Sequence, residues 1–178
     1  MGKTHAASGL VASMAVCSLF ELGPAAPIVA AAVFYVSALG PDIDHPSAPA
    51  ARFLGPVSWV VCHAVRRVSV RATGVAHRGL AHSFLAAGVY GLLTGWLSAQ
   101  WLTLAAAVLV GLFAAAGYAV GFLGDVPTRT SLKHVWWPLE ARFAFPSWLR
   151  FTTGKGAERV VFHALCVAGV LLLPAVVR

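Results

Sequence analysis

The sequence predicts an all-α protein, a polytopic membrane helical bundle with about four to five spans. Of its 178 residues, 59% are hydrophobic and only 11% are charged. Soluble domains carry about a quarter charged residues, so this chain has too little polar surface to face water on every side. Its apolar runs are long, and the charged residues gather between them. We therefore expect one membrane-embedded domain that covers residues 1–178.

The first two apolar runs predict the first two spans. Ala6–Leu22 is the first, and the turn-forming pair Gly23 and Pro24 marks its end. Pro27–Gly40 is the second. It stops before Pro41, because proline has no backbone N–H with which to continue a helix.

The polar connection that follows, residues 42–82, contains an apolar stretch of its own. Val57–Val70 carries basic residues among its apolar ones, and we expect it to form a helix that lies in the membrane interface. Residues 79–124 then contain no Asp, Glu, Lys or Arg. That length fits two further spans joined by a tight turn, Ser83–Ala99 and Trp101–Leu123.

A second polar connection, residues 125–158, precedes the last apolar run. This run, Arg159–Val177, is long enough either to span the membrane or to lie against the bundle. Within the connection, Trp136 and Trp137 precede Pro138 and are typical of an aromatic anchor at the membrane interface.

Basic residues test this helix count, because positively charged loops stay in the cytoplasm. With the helices as described, every Lys and Arg except Arg178 lies on one side. We therefore predict a multi-pass protein of the bacterial cytoplasmic (inner) membrane with its N-terminus in the cytoplasm. The net charge is +7. In so apolar a chain that charge favours the lipid bilayer and anionic headgroups as partners, with Arg66–Arg71 at the headgroups, and no nucleic acid is predicted.

The same side collects nearly all the residues that could perform chemistry. They flank the predicted spans and comprise His5, Asp42, Asp44, His45, His77, His82, Asp125 and His134. Imidazole and carboxylate together suit a divalent metal, with zinc first and manganese or iron as alternatives. Any one of these residues taken alone is equally typical of a solvated helix end. Their arrival from four separate segments is what indicates a shared site.

Two short motifs contribute most of these residues. The prolines that flank Asp42 and Asp44 in PDIDHP predict an extended segment, in which both carboxylates point the same way, about 7 Å apart. In HRGLAHS, Gly79 permits a turn that brings His77 and His82 inward.

These motifs carry a resemblance to a known family. An N-terminal His, PDIDHP, HRGLAHS, a glycine-rich span that ends in Asp, a later WPL and finally FTTGKGAE occur in the order found in the YdjM-like membrane-bound metal-dependent hydrolases of bacteria. The resemblance runs from about residue 3 to 160. That family is in turn distantly similar to the helical zinc-dependent phospholipase C and single-strand nuclease group, which activates water on a phosphoester.

The resemblance implies a set of metal ligands, which are His5, Asp42, Asp44, His77, His82 and Asp125. It makes His45 a ligand or a partner of one. We assign catalytic roles to Asp44, which would orient or deprotonate water, and to His45. The family also has a His four residues before the Asp that ends its span, where this chain has Gly121. Either His134 or water replaces that ligand, or this chain binds fewer metals.

Three functions follow as hypotheses. The first is a membrane-embedded metal-dependent hydrolase that acts at the cytoplasmic face on a phosphoester or lipid-linked substrate. The second is a non-catalytic protein that keeps a structural metal site, an alternative raised by Gly121. The third is an ion-coupled transporter, because ionisable residues in membrane proteins often mark transport paths.

Overall fold

A computed structural model describes residues 2–19, 26–52, 55–129, 132–139, 141, 143–152 and 156–176. Across these ranges the chain is all-helical and has no β-strands, which confirms the predicted fold class. The α-helices in the described ranges are α1 (Gly2–Leu19), α2 (Ala26–Ala38), α3 (Pro56–Thr73), α4 (Phe84–Ser98), α5 (Leu104–Leu123) and α6 (Gly156–Val176).

Three helices in the described ranges are long and apolar enough to cross a membrane. They are α2 with the 3₁₀ turn that continues it to Asp44, α5 and α6, whereas α4 is apolar but shorter. Helix α1, which forms where the first span was predicted, is not among these three. The predicted helix boundaries are otherwise within a few residues, and capping explains where two helices start. Ser83 caps α4 by accepting a hydrogen bond from the Ala86 N–H at 3.1 Å. The side chain of Thr103 accepts from the Ala106 N–H, so α5 starts after the predicted Trp101. Gly23 and Pro24 lie outside the described residues.

Small residues allow the helices to pack closely. Helix α5 contacts α1, α2 and α4, while α6 packs against α1. Between α4 and α5, a Cβ placed on Gly91 would lie 2.6 Å from the Gly111 carbonyl oxygen. Such contact between backbones is how helices gain packing energy in lipid, where apolar side chains have no hydrophobic reason to associate.

The contact between α2 and α5 explains the glycine found where the family resemblance implies a ligand. A Cβ on Gly117 would lie 2.9 Å from the Cα of Phe34. One turn later, a Cβ on Gly121 would overlap the carbonyl oxygen of Ala38. Position 121 is therefore a backbone contact between helices, with no space for an imidazole.

Helix α3 forms where an interfacial helix was predicted, and it packs on the two short 3₁₀ turns Gly40–Asp44 and Leu80–His82. Ser69 fixes it to the HRGLAHS segment, because its hydroxyl donates to the Val75 carbonyl at 2.7 Å and accepts from the Leu80 N–H at 3.0 Å. The position of α3 at the membrane interface stays a prediction.

The connection before α6 is irregular but joined to the bundle. Two isolated β-bridges, Thr128 with Phe151 and Leu132 with Phe143, hold it together. The ring of Trp136 packs against that of Phe84 with centroids 4.6 Å apart. The proposed anchoring of Trp136 in a membrane interface is not tested by these contacts.

Candidate metal centre

The predicted site residues meet at one end of the bundle. His5 lies in the first turns of α1, Asp42 lies in the 3₁₀ turn after α2, His82 immediately precedes α4, and Asp125 follows α5. Because successive helices of the bundle alternate in direction, residues far apart in sequence arrive at the same end. For this reason, the positions of the helices in the sequence were enough to predict that these residues meet.

Four of these side chains surround a common space. His5 Nε2 lies 3.8 Å from Asp42 Oδ2 and 3.8 Å from Asp125 Oδ1. His82 Nε2 lies 4.0 Å from Asp42 Oδ1 and 3.4 Å from Asp125 Oδ2. Each imidazole therefore faces both carboxylates, and the four residues alternate His, Asp, His, Asp around the space.

The polar atoms of this group are buried without good hydrogen-bonding partners. His5 is 3% exposed and His82 is 1% exposed. Both ring nitrogens of each, together with Asp125 Oδ2, have no hydrogen bond within the described part of the chain. Each such atom costs about 1–3 kcal/mol when it is left unpaired, so the group has the character of a site built for a further ligand.

A divalent metal fits this donor set chemically. In a tetrahedral zinc site with bonds of about 2 Å, neighbouring donor atoms lie about 3.3 Å apart. The observed nitrogen–oxygen separations of 3.4 to 4.0 Å are slightly wider. In the described ranges, no three His, Cys, Asp or Glu side chains already form a finished metal-binding group. The arrangement therefore has the right donors, which must close in by several tenths of an ångström to share an ion.

Asp44 is fully buried and faces a different set of partners. Its Oδ1 accepts a hydrogen bond from His77 Nδ1 at 2.6 Å, and its Oδ2 accepts from the Arg78 backbone N–H at 3.2 Å. Oδ2 also lies 3.7 Å from Nδ1 of His82. Asp44 and His77 are thus placed behind the four-residue group, in the position of side chains that orient ligands.

The extended conformation predicted for PDIDHP is wrong. Gly40–Asp44 is a 3₁₀ turn, and the backbone becomes extended only at His45, before Pro46. Pro41 favours this turn because its fixed φ suits the first position of a helix, where its missing N–H is not needed. Two residues along a 3₁₀ turn differ by about 240° in direction. Asp42 and Asp44 accordingly approach different nitrogens of His82, Nε2 and Nδ1 respectively.

Arg78 is a site residue that the sequence prediction missed, since it was counted only as a basic loop residue. Its guanidinium donates to Asp125 Oδ1 at 3.0 Å and to Thr128 Oγ1 at 3.1 Å. The chain turns here as predicted, and the residue with left-handed backbone is Arg78, with φ 59°. Gly79 is needed for space, because a Cβ there would overlap the hydroxyl of Ser69. The sequence did contain a signal for this role, because Arg78 lies between the two site residues His77 and His82.

The residues around Asp125 set the pKa of its carboxyl. Burial raises the pKa of this carboxyl, but the contact with His82 and the electrostatic attraction of His5 and Arg78 outweigh that effect. The pKa of Asp125 is consequently held below its ordinary value. At 3.4 Å, Nε2 of His82 lies farther from Asp125 Oδ2 than in an ordinary N–H···O bond, so the two side chains make only a weak polar contact.

The remaining histidines lie outside the four-residue group. His45 is exposed, with Nδ1 2.8 Å from the Ser47 hydroxyl and its ring 5.0 Å from that of His77. Within the described residues, His134 has no ion-pair contact with the group, which leaves its proposed role as a replacement ligand unsupported. His63 and His163 each place Nδ1 against the backbone carbonyl one helical turn earlier.

The FTTGKGAE segment reaches the site through its last residue. Glu158 Oε1 accepts a hydrogen bond from the Thr4 hydroxyl at 3.0 Å, one residue before His5. Residues 153–155 of the segment lie outside the described residues. Glu158 thus joins the start of α6 to the turn of α1 that carries His5.

These features define a helical membrane protein with a buried group of His and Asp residues at one end of its bundle. A sequence model of the YdjM inner membrane protein family matches residues 1–177, and the chain belongs to this family. Comparison with curated proteins and with solved structures gave no significant match. The family description confirms the membrane prediction and names no reaction or metal.

Proposed function

We propose that the chain is an integral membrane metal-dependent hydrolase that acts on a phosphoester or lipid-linked substrate at the cytoplasmic face. One observation carries the proposal. Two buried imidazoles, His5 and His82, lack hydrogen-bonding partners in the described residues and face the same two carboxylates. Such a group is costly to bury unless an ion completes it.

The residues that would hold the ion are His5, Asp42, His82 and Asp125. Two nitrogen and two carboxylate donors suit zinc, with manganese or iron as alternatives. When bound, the ion would supply a Lewis acid that lowers the pKa of water toward about 7 and polarises the scissile group.

The Asp44–His77 pair supports a role in proton transfer. Because Nδ1 of His77 donates to Asp44, its Nε2 is the nitrogen left to accept a proton. His77 is 34% exposed, so a water or substrate can reach it. We therefore assign the base role to His77, with Asp44 as the residue that orients it. His45, whose ring lies beside that of His77, is assigned a supporting role next to the base.

The non-catalytic alternative, which keeps a structural metal, is raised by Gly121, where the family pattern has a further ligand. The Arg78 guanidinium pairs with Asp125 Oδ1 at 3.0 Å, so an ion in either role must compete for that oxygen. The transporter alternative has less support, because α2, α4 and α5 contain no Asp, Glu, Lys or Arg along their length.

Metal analysis of the protein purified in mild detergent tests the proposal. We expect about one zinc ion or equivalent per chain, and loss of most of it in His82→Ala. His163→Ala is the matched control, because its Nδ1 binds a backbone carbonyl away from the site. Metal content below about 0.2 equivalents in the wild type, unchanged in His82→Ala, would overturn the proposal.

Hydrolysis separates the catalytic proposal from its non-catalytic alternative. Phosphodiester substrates in detergent or nanodiscs should turn over with the wild type. We expect His77→Ala to lower kcat by about 10²–10⁴ while metal content is retained. A protein that binds metal normally but turns over no phosphoester, lipid-linked or soluble, would be assigned the structural role.

A further inference from the structure

A groove with a volume of about 400 Å³ runs along α3. Its lining residues are His63, Arg66, Arg67, Val70, Arg71 and Ala76. They recur at helical spacing of three and four residues, so one side of a single helix provides most of the wall. The groove is separate from the candidate metal centre and has no role in the function proposed above.

No acidic residue of α3 balances the positive charge of the groove. The helix contains three arginines and neither Asp nor Glu. Within the described part of the chain, no hydrogen bond or ion pair joins the guanidinium of Arg66, Arg67 or Arg71 to another residue. Like charges held together on one helix repel each other, so the groove favours an anion from outside the chain.

The chemistry of the lining suits an anion with paired oxygens. Guanidinium groups bind phosphate or carboxylate oxygens through two parallel hydrogen bonds, which single point charges cannot do.

The other exposed residues of α3 point to a membrane lipid as the source of that anion. Val57, Trp59 and Val60 are each about 60% exposed, although they are large and apolar. A helix that combines such residues with arginines is typical of one that lies at a bilayer surface. We propose that the α3 groove binds the phosphate of an anionic phospholipid headgroup.

The groove adjoins the His77–Asp44 pair in sequence. Ala76 lines the groove, and the next residue, His77, donates to Asp44 behind the four-residue group. One step of chain therefore joins the groove to the His77–Asp44 pair, although no residue of the four-residue group lines the groove. Binding itself needs no metal, so the proposal can hold or fail independently of hydrolysis.

Lipid retention tests the proposal. The full chain is placed in nanodiscs of phosphatidylcholine and phosphatidylglycerol at a ratio of about 4:1, then transferred to detergent with a chelator at 0.15 M salt. The retained lipid is counted by native mass spectrometry. We expect retention of phosphatidylglycerol about tenfold above its share of the mixture.

Two triple variants with equal loss of charge make the test specific. Arg66→Gln/Arg67→Gln/Arg71→Gln should lose this preference, since each basic residue contributes about a fivefold factor near an anionic surface. Arg52→Gln/Arg129→Gln/Lys133→Gln removes three exposed charges outside the groove lining and should keep the preference within about twofold, because distant charges are screened at this salt concentration.

Three results would overturn the proposal. They are equal retention of both lipids by the wild type, an unchanged preference in the groove variant, and an equal loss in both triple variants. Displacement of phosphatidylglycerol by about 10 mM inorganic phosphate would assign the groove to soluble phosphates and would also overturn the lipid assignment. Persistence of the lipid under that condition supports it.

Discussion

The α4–α5 hairpin and the polar end of the bundle are built on opposite principles. In the hairpin, Gly91 and Gly111 bring two backbones into contact, and no charged residue occurs along either helix. At the polar end, charged and polar side chains are buried, and several of their atoms have no partner in the described residues. The hairpin is complete as it stands, whereas the polar end is arranged around something further.

This difference separates stability from function. A membrane protein gains helix association from close packing, and the hairpin provides it. Burial of unpaired imidazoles opposes folding and persists only where another role maintains it. Four predictions test the contrast.

The largest effect is expected from Arg78→Ala. This change leaves Asp125 buried without the guanidinium that donates to it at 3.0 Å. Loss of one member of a buried ion pair costs about 3 kcal/mol, so thermal unfolding in detergent should occur at a clearly lower temperature. Arg129→Ala, at an exposed position, is the control and should stay within about 0.5 kcal/mol. Equal unfolding temperatures for the two variants would show that Arg78 does not stabilise the polar end.

Asp44→Asn should weaken metal binding without abolishing it. The amide can still accept one hydrogen bond, but it no longer carries the charge that faces His77 and His82. Loss of such an orienting carboxylate typically reduces metal affinity by about 10- to 100-fold, which a competitive chelator titration would measure. His45→Ala should leave affinity unchanged, because His45 is exposed at the rim. A larger effect for His45 than for Asp44 would reverse the order of roles assigned to them.

Gly121→His should destabilise the protein and add no metal. Its Cβ alone overlaps the Ala38 carbonyl, so helices α2 and α5 must separate, at a cost of about 2 kcal/mol. Gly121→Ala introduces the same Cβ and should lose most of the same stability. A Gly121→His protein that is as stable as the wild type and gains metal would show that position 121 is an absent ligand and not a packing contact.

The smallest effect is expected within the hairpin. Gly91→Ala places a methyl group 2.6 Å from the Gly111 carbonyl and should cost about 1–2 kcal/mol. Gly88→Ala, three residues earlier on α4, meets nothing within 4 Å. That control should be neutral or stabilising by up to about 1 kcal/mol, because alanine favours helix more than glycine does. Similar losses in both variants would exclude specific glycine packing.

Much of the fold could be predicted because its signals are local in sequence. Long apolar runs and their polar breaks located the helices to within a few residues, and the alternation of helix direction brought His5, His82 and Asp125 to one end. Each of these inferences uses only the order of residues and the length of a helix.

The details of the site depend on tertiary contacts that no local pattern contains. The 3₁₀ turn that separates Asp42 from Asp44 packs against α3, and the inward guanidinium of Arg78 requires Asp125 to be already in place. The family pattern made Gly121 look like a missing ligand. Its packing role could not be predicted, because the backbone that it contacts, at Ala38, is distant in sequence. These side-chain and backbone conformations depend on tertiary packing, so they could not be predicted from local sequence patterns.

The hydrogen bond between Thr4 and Glu158 sets an order for biogenesis. Its two residues are 154 positions apart, and α6 packs against α1. The ribosome therefore synthesises α1 to α5 before it reaches the partner of Thr4. Until then, the turn of α1 that carries His5 lacks this contact. We expect the polar end to mature only when α6 has closed on α1.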